Sequence, residues 1–221
     1  MELASLRQGV YRLLSALFLY PDLEWMDTFP PLAHLLREES RPLAQFAFWG
    51  EWEKILDSLE AISEDDRQGL ESFFVNNMTV AGRPDVCSPA ESFYVGREEV
   101  ALLISDLDGV YVEDGFAVAS SAYQSPDHAS VELEFMSLQC GLETGAWEEG
   151  LTGDASSRLK QEQTFLNQHL LRWFPVFASR LSYLHGDSFY AQAAGAGHSF
   201  MIHDRDLIAS LLEGLQEGVN A

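Results

Sequence analysis

Apolar residues recur with the spacing of an α-helix in almost every segment of this chain, and this period is the strongest constraint on its fold. Residues 2–20 carry leucine, valine and phenylalanine at intervals of three and four, and residues 205–217 repeat the pattern. No segment alternates convincingly between apolar and polar side chains, as a half-buried strand would. The sequence therefore predicts an all-α protein, a single globule of about ten helices.

A long break in the helical period separates two helical regions. Residues 109–125 are mixed in character and too many for an ordinary tight turn. We therefore expect one all-helical domain over residues 1–221, with the option of two lobes joined by this segment as a hinge. The N-terminal lobe would cover about 1–108 and the C-terminal lobe about 126–221. Within the break, residues 110–112 have the composition of a short strand.

The chain is strongly acidic, with 35 acidic against 13 basic side chains and a formal net charge of -22. This charge disfavours nucleic acid and anionic membranes as partners and attracts a basic partner. Solubility alone is an equally good explanation of the acidity. No apolar run is long enough to span a bilayer, and the first residues lack the basic and apolar regions of a signal peptide. The sequence therefore indicates a cytosolic protein without stable membrane insertion.

Signatures of catalysis and of metal or cofactor binding are absent from the sequence. It has no Gly-x-Ser-x-Gly nucleophile elbow and no Glu-x-x-His pair, which a carboxylate-bridged metal site in a helical bundle requires. Cys87 and Cys140 lack the spacing of a metal or disulfide motif. We expect no enzymatic activity, no cofactor and no metal. The alternative that stays open is a small helical metal-binding protein or hydrolase that uses His128, Glu132 and Glu91.

The best-defined helix start lies at Ser125. This residue fits as the N-cap, Pro126 as the first helical residue, and Asp127 places a carboxylate at the positive end of the helix dipole. His128 and Glu132 then lie four residues apart on the first turns. The pattern predicts an exposed helix start followed by a largely buried helix. The alternative is that Asp127 only complements the dipole and that His128 is an ordinary surface or core residue.

A second capped start precedes it at Ser88. With Pro89 and Glu91 this serine forms a capping-box sequence, which predicts a helix that includes Tyr94. Together the two starts would form an apolar groove rimmed by carboxylates, suited to a peptide that is both apolar and positively charged. The alternative is that the aromatic residues are simply core. The residues predicted to form this binding site are Phe73, Phe74, Met78, Pro89, Glu91, Ser92, Tyr94, Pro126, Asp127 and His128.

Four sequence blocks resemble, in order, those of the TorD/DmsD/NarJ chaperones, which are dedicated to molybdenum oxidoreductases. One is the Asp-His helix start of residues 125–136 with its Glu-Leu-Glu-Phe-Met continuation. The others are the first helix ending in Tyr-Pro at residues 13–21, the pair Phe73-Phe74 with Pro-x-Glu-Ser-x-Tyr at 89–94, and His-x-x-x-Trp-x-Pro-x-Phe at 169–177 with Phe-Tyr at 189–190.

The resemblance implies a helical cytosolic chaperone that holds the N-terminal segment of a molybdoenzyme catalytic subunit. That segment is commonly a twin-arginine leader, and holding it delays export until the molybdopterin cofactor is inserted; a retained subunit would present a leader-like N-terminus instead. The family's peptide-contacting positions carry over to Phe73, Phe74, Pro89, Ser92, Tyr94, Pro126, Asp127 and His128, with Met78 as a further candidate. Ala90 departs from the family pattern, which leaves leader specificity open. We expect a monomer or a domain-swapped dimer, with the client not identified by the sequence.

Overall fold

The computed structural model describes residues 2–79, 85–118 and 125–219, and these ranges are helical apart from short connections. The α-helices are α1 (Glu2–Leu17), α2 (Leu23–Ser40), α3 (Trp49–Ala61), α4 (Arg67–Phe74), α5 (Val100–Glu113), α6 (Ala129–Glu148), α7 (Thr152–Phe165), α8 (Leu171–His185) and α9 (Phe189–Val219). Shorter 3-10 turns occupy Arg41–Gln45, Glu64–Asp66 and Glu91–Phe93, and π turns occupy Val75–Thr79 and Leu166–Leu170. The all-α prediction is confirmed. No helix in the described part of the chain combines the length and the apolar content that a bilayer span requires.

Helix α6 is the centre of the core because residues on nearly every side of it are buried. Helix α1 packs along it, α7 flanks it, and α8 and α9 pack on each other. The rings of Phe18, Phe174 and Phe177 join α8 to the end of α1 in edge contacts, with centroids 5.6 and 5.7 Å from Phe18. One continuous core therefore includes helices from both sides of the predicted hinge.

Several predicted boundaries are wrong. Helix α5 continues to Glu113, so residues 110–112 are helical and not a strand, and the first part of the predicted hinge is helical. Residues 119–124 of that hinge lie outside the described residues. The division into two lobes stays a prediction. Because proline normally interrupts a helix, the sequence predicts separate helical pieces before and after Pro30 and Pro31. This prediction is wrong, since α2 runs through both prolines.

A buried ionic network ties four helices together. Arg7 of α1 is 1% exposed and donates from Nη1 to Glu143 of α6 at 2.6 Å and from Nε to Asp204 of α9 at 2.5 Å. Its Nη2 also donates to Glu162 of α7. Tyr11 donates its hydroxyl to Asp204 at 2.7 Å. Burial raises the pKa of Glu162 to about 8, although the nearby Arg7 charge favours the ionised form.

Candidate functional site

A groove of about 830 Å³ opens between the α1–α2 junction, the end of α4 and the segments around residues 88 and 128. Its described lining is Leu19, Tyr20, Asp22, Glu24, Trp25, Thr28, Phe29, Phe74, Met78, Thr79, Ser88, Pro89, Ser125 and His128. Aromatic and aliphatic residues are seven of the fourteen that line it, and its two carboxylates, Asp22 and Glu24, are exposed. The groove therefore offers apolar contact area together with negative charge.

Local hydrogen bonds fix the wall formed by the α1–α2 junction. Asp22 is the N-cap of α2, and its Oδ1 accepts from the Trp25 amide at 2.9 Å. The indole Nε1 of Trp25 donates to the Ala16 carbonyl at 2.8 Å. Tyr20 meets Phe74 in a perpendicular ring contact with centroids 5.7 Å apart. Tyr20 is still 42% exposed, so part of its ring is accessible to solvent while Phe74 fixes its position.

The two segments that the sequence singles out lie side by side. The Glu91 amide donates to the Asp127 carbonyl at 2.9 Å, and the Ala129 amide donates to the Pro89 carbonyl at 2.7 Å. The Asp127 side chain adds a third bond, because its Oδ2 accepts from the Ser92 amide at 2.9 Å. We call these three bonds the clip. It holds the loop before α5 against the start of α6.

Because of the clip, α6 does not begin at residue 125 as predicted. Helix α6 begins at Ala129 and its N-cap is His128, while Ser125 only accepts a turn bond from the His128 amide through its carbonyl. Pro126 is therefore not the first helical residue. Asp127 is 1% exposed, so the prediction of an exposed carboxylate at this position is wrong. Its backbone and side chain bind the neighbouring segment instead of the helix dipole.

The predicted capping box at residue 88 does not form. Only Glu91–Phe93 make a short 3-10 turn, and Ala90 is its N-cap. The Glu91 carboxylate, fully buried, accepts no bond from Ser88 and lies 3.0 Å from Nδ1 of His169. The predicted helix through Tyr94 is therefore wrong, since tertiary partners take up the groups that a helix start would use.

His128 contributes a neutral imidazole to the groove. Its Nδ1 lies 3.2 Å from the Ser130 amide and 2.8 Å from the Ser130 hydroxyl. Burial lowers the pKa of His128 to about 4, although the adjacent Asp127 charge favours protonation. Because Nδ1 accepts from an amide, the ring proton belongs on Nε2. The imidazole can then donate to an acceptor without carrying charge.

Four of the predicted site residues line the groove, namely Phe74, Met78, Pro89 and His128. Phe74, Met78 and Pro89 are buried, so they form its floor. The predicted residues that line the groove therefore come from the end of α4 and the turn after it, from the segment at residue 89 and from the start of α6.

The other predicted aromatic residues pack against α8 and α9. Phe73 stacks on Tyr190 of α9 with ring centroids 5.2 Å apart. Tyr94 stacks on Trp173 of α8 at 5.5 Å and donates its hydroxyl to the Ser88 carbonyl at 2.9 Å. Neither Phe73 nor Tyr94 is part of the described lining.

Buried carboxylates form a separate cluster beneath the clip. Glu132 is fully buried and accepts from the Trp173 indole at 3.0 Å. Its burial raises the pKa of Glu132 well above the ordinary value, and the nearby Glu91 charge adds to this. One oxygen of each of Glu91, Asp127 and Glu132 is buried and has no hydrogen-bond partner within residues 2–79, 85–118 and 125–219. Ser92 and Pro126, also predicted as site residues, contribute main-chain groups to this region. The Ser92 amide donates to the Asp127 carboxylate, and the Pro126 carbonyl accepts from the Tyr111 hydroxyl at 2.8 Å.

The groove contains residues that sequence reasoning missed, chiefly Tyr20, Asp22, Glu24, Trp25 and Phe29. Its exposed carboxylates are Asp22 and Glu24, in place of the predicted Glu91 and Asp127. A signal was present in the sequence, because a proline followed by an N-cap residue marks where one helix ends and the next begins. This signal did not show that the junction between α1 and α2 would lie opposite the end of α4 and the start of α6.

The arrangement does not support the metal-site alternative. His128 bonds to Ser130, Glu132 to Trp173, and Glu91 to His169, so the three predicted ligands have separate partners. Within the ranges that the structure describes, no group of three or more histidine, cysteine, aspartate or glutamate side chains is placed to hold a metal ion.

Comparisons with known proteins agree on one group of relatives. A family model described as the nitrate reductase delta subunit matches residues 36–179. The chaperone protein TorD of Vibrio cholerae serotype O1, strain El Tor Inaba, is 27% identical over 99 residues, which cover 45% of this chain and 44% of that protein. A selenate reductase assembly chaperone protein of Thauera selenatis is 40% identical over 67 residues, which cover 30% of this chain and 33% of that protein.

These matches span less than half the length of the two curated relatives. Among solved structures, a candidate redox enzyme maturation protein from Archaeoglobus fulgidus is similar with a TM-score of 0.51 and 19% identity. The similarity covers 88% of this chain and 93% of the other. At this identity the likeness concerns the fold.

Proposed function

This chain belongs to the nitrate reductase delta subunit family, as the resemblance of its four sequence blocks predicts, and from this premise we propose that it is a maturation chaperone. Its client would be a molybdenum oxidoreductase, whose catalytic subunit it binds by the N-terminal segment. The names of the two curated relatives, a TorD chaperone and a selenate reductase assembly chaperone, support a chaperone in preference to an enzyme.

The observation that carries the peptide-binding part is the composition of the groove. A twin-arginine leader places a basic segment before an apolar one, and the groove combines exposed Asp22 and Glu24 with an aromatic and aliphatic surface. Burial of apolar side chains supplies most of the affinity of such a complex, while opposite charges steer the encounter and set the register.

Each part of the groove has a proposed role. The carboxylates of Asp22 and Glu24 receive the guanidinium groups, and the faces of Tyr20 and Phe74 cover the apolar residues of the leader. The neutral imidazole of His128 donates from Nε2 to a peptide carbonyl. Asp127 acts indirectly by holding the clip, in contrast to its predicted contact with a cationic group.

Binding of the leader would delay export while the molybdopterin cofactor is inserted, and this requires the chaperone to act in the cytosol. A leader-like N-terminus of a retained subunit would fit the same groove.

Isothermal calorimetry with a synthetic twin-arginine leader peptide tests the proposal. We expect Tyr20→Ala to weaken binding about tenfold, as truncation of a central aromatic contact does. Glu24→Gln should weaken it about threefold, with the difference shrinking at high salt.

Two matched variants control for nonspecific effects. Tyr183 is 87% exposed on α8, and Glu39 is exposed on α2; neither lines the groove. Tyr183→Ala and Glu39→Gln should therefore leave the affinity within about twofold of the unmodified protein. Equal affinities for all four variants would show that the peptide does not occupy the groove.

A further inference from the structure

A second cavity lies beside α5 and shares no described lining residue with the groove. It has a volume of about 510 Å³ and is lined by Glu91, Val95, Glu99, Leu102, Leu103, Ser105, Asp106, His169 and Arg172. Glu91, predicted from the sequence as a groove residue, therefore faces a different site. We call this the α5 cavity.

Much of the surface of α5 is left uncovered by the part of the chain that the structure describes. Most residues of this helix are apolar, yet only Leu107 and Tyr111 are buried. Leu102, which lines the cavity, and Val112 are each 75% exposed. Exposed aliphatic side chains on one helix mark a surface that gains stability when it is covered.

Two residues that line the α5 cavity carry buried polar atoms with no hydrogen-bond partner among the described residues. Glu91 is fully buried, and its Oε1 accepts no hydrogen bond. His169 is 2% exposed, and its Nε2 lies 3.7 Å from Oδ2 of Asp106 and makes no hydrogen bond. Buried polar atoms are normally satisfied, so unpaired ones in a cavity wall indicate a missing partner group.

The charge of the cavity identifies the kind of partner. Glu91, Glu99 and Asp106 supply three carboxylates, against one guanidinium from Arg172. A second copy of this chain would bring a formal net charge of -22 to an acidic surface, which opposes association. A cationic side chain would instead give the buried Glu91 oxygen a charge-assisted hydrogen bond.

We propose that the α5 cavity is a docking site for a basic amphipathic segment of another polypeptide. A lysine or arginine of that segment reaches Glu91 between Glu99 and Asp106, and its apolar side chains cover Leu102. The site is separate from the groove, so it does not depend on the proposed binding of a leader there.

The test uses a labelled 14-residue peptide of leucine and lysine, with the leucines on one helical face and the lysines on the other. Binding is measured by fluorescence anisotropy at physiological salt, first with the probe alone and then after addition of the synthetic leader peptide. Leu102→Asn should weaken binding about tenfold, because a covered leucine is replaced by an amide. Glu99→Gln should weaken it about threefold.

Matched substitutions separate docking from adsorption of a polycation to an acidic protein. Leu35→Asn replaces a leucine that is 56% exposed on α2, and Glu39→Gln removes one charge from the same helix. Both should leave the affinity within about twofold. The proposal is overturned if each variant equals its control, if the leader peptide displaces the probe, or if the probe does not bind saturably.

Discussion

Replacing Arg7 by methionine should cost about 4 kcal/mol of unfolding free energy at pH 7, within the range of about 3–5 kcal/mol for breaking a buried ion pair. The guanidinium is 1% exposed and binds Glu143, Glu162 and Asp204, none of which reaches solvent appreciably. Methionine fills similar space and leaves these carboxyl groups without a cation.

The magnitude follows from the protons that the variant must take up. Holding a glutamate carboxyl protonated at pH 7, against an ordinary pKa near 4.3, costs about 3.7 kcal/mol. Because burial already raises the pKa of Glu162 to about 8, this cost does not arise at Glu162. We therefore set the expected loss at about the cost of one buried carboxyl left without its cation, about 4 kcal/mol, since Trp147 and Tyr11 still donate hydrogen bonds to Glu143 and Asp204.

Urea unfolding of Arg7→Met, followed by tryptophan fluorescence at pH 7 and at pH 5, measures this cost. At pH 5 the same protonation costs only about 1 kcal/mol, so the loss should shrink to about 1–2 kcal/mol. Arg12→Met removes the same charge from an exposed position of α1 and should change stability by less than about 0.5 kcal/mol. A loss that is equal at both pH values would mean that packing, and not charge, accounts for the role of Arg7.

Three further predictions concern buried polar groups. Asp127→Ala removes the acceptor of the Ser92 amide and should lower the unfolding free energy in urea by about 1–3 kcal/mol. Asp127→Asn keeps an acceptor and should lower it by less than about 0.5 kcal/mol. Equal losses of stability in the two variants would contradict the role of Asp127 in the clip. The imidazole of His128 should stay neutral in an NMR titration from pH 8 to pH 5, because its pKa is lowered to about 4. A titration midpoint near pH 6.5 would contradict this. The stability that the neutral imidazole contributes above pH 6.5 is lost as the pH falls toward 4. Glu162 has a raised pKa of about 8, so its contribution to stability is present below pH 4.5 and lost as the pH rises toward 8. Glu162→Gln should remove this part of the pH dependence of the unfolding free energy. Identical stability–pH profiles for the variant and the unmodified protein would argue against a buried protonated carboxyl.

Local pattern was sufficient where burial alone decides the structure. The apolar spacing of α6 predicts a buried helix, and Val131, Phe135 and Cys140 are indeed buried in the core. The burial of these α6 residues follows from periodicity because the face of a helix on which a residue lies depends on its spacing. The grouping of Phe74 and Met78 with the start of α6 came from the proposed groove and the family resemblance, and both residues line the groove together with His128.

Prediction failed where a group bonds to a residue far along the chain. Ser125 and Asp127 have the types and order of a helix cap, but bonds to residues 89–92 set the start of α6 at Ala129. Arg7 gave no signal in a single sequence, because its carboxylate partners lie 136, 155 and 197 residues away. Long-range pairing of this kind depends on the assembled core.

The most direct test of the account is to locate the leader peptide on the protein. A twin-arginine leader peptide with a photoreactive benzophenone in its apolar segment is irradiated in complex with the full chain, and the cross-linked residues are identified by mass spectrometry. The account predicts cross-links within residues 19–29 and 74–79, which line the groove. Cross-links confined to α7 or to the outer face of α9, with none in the groove, would contradict it.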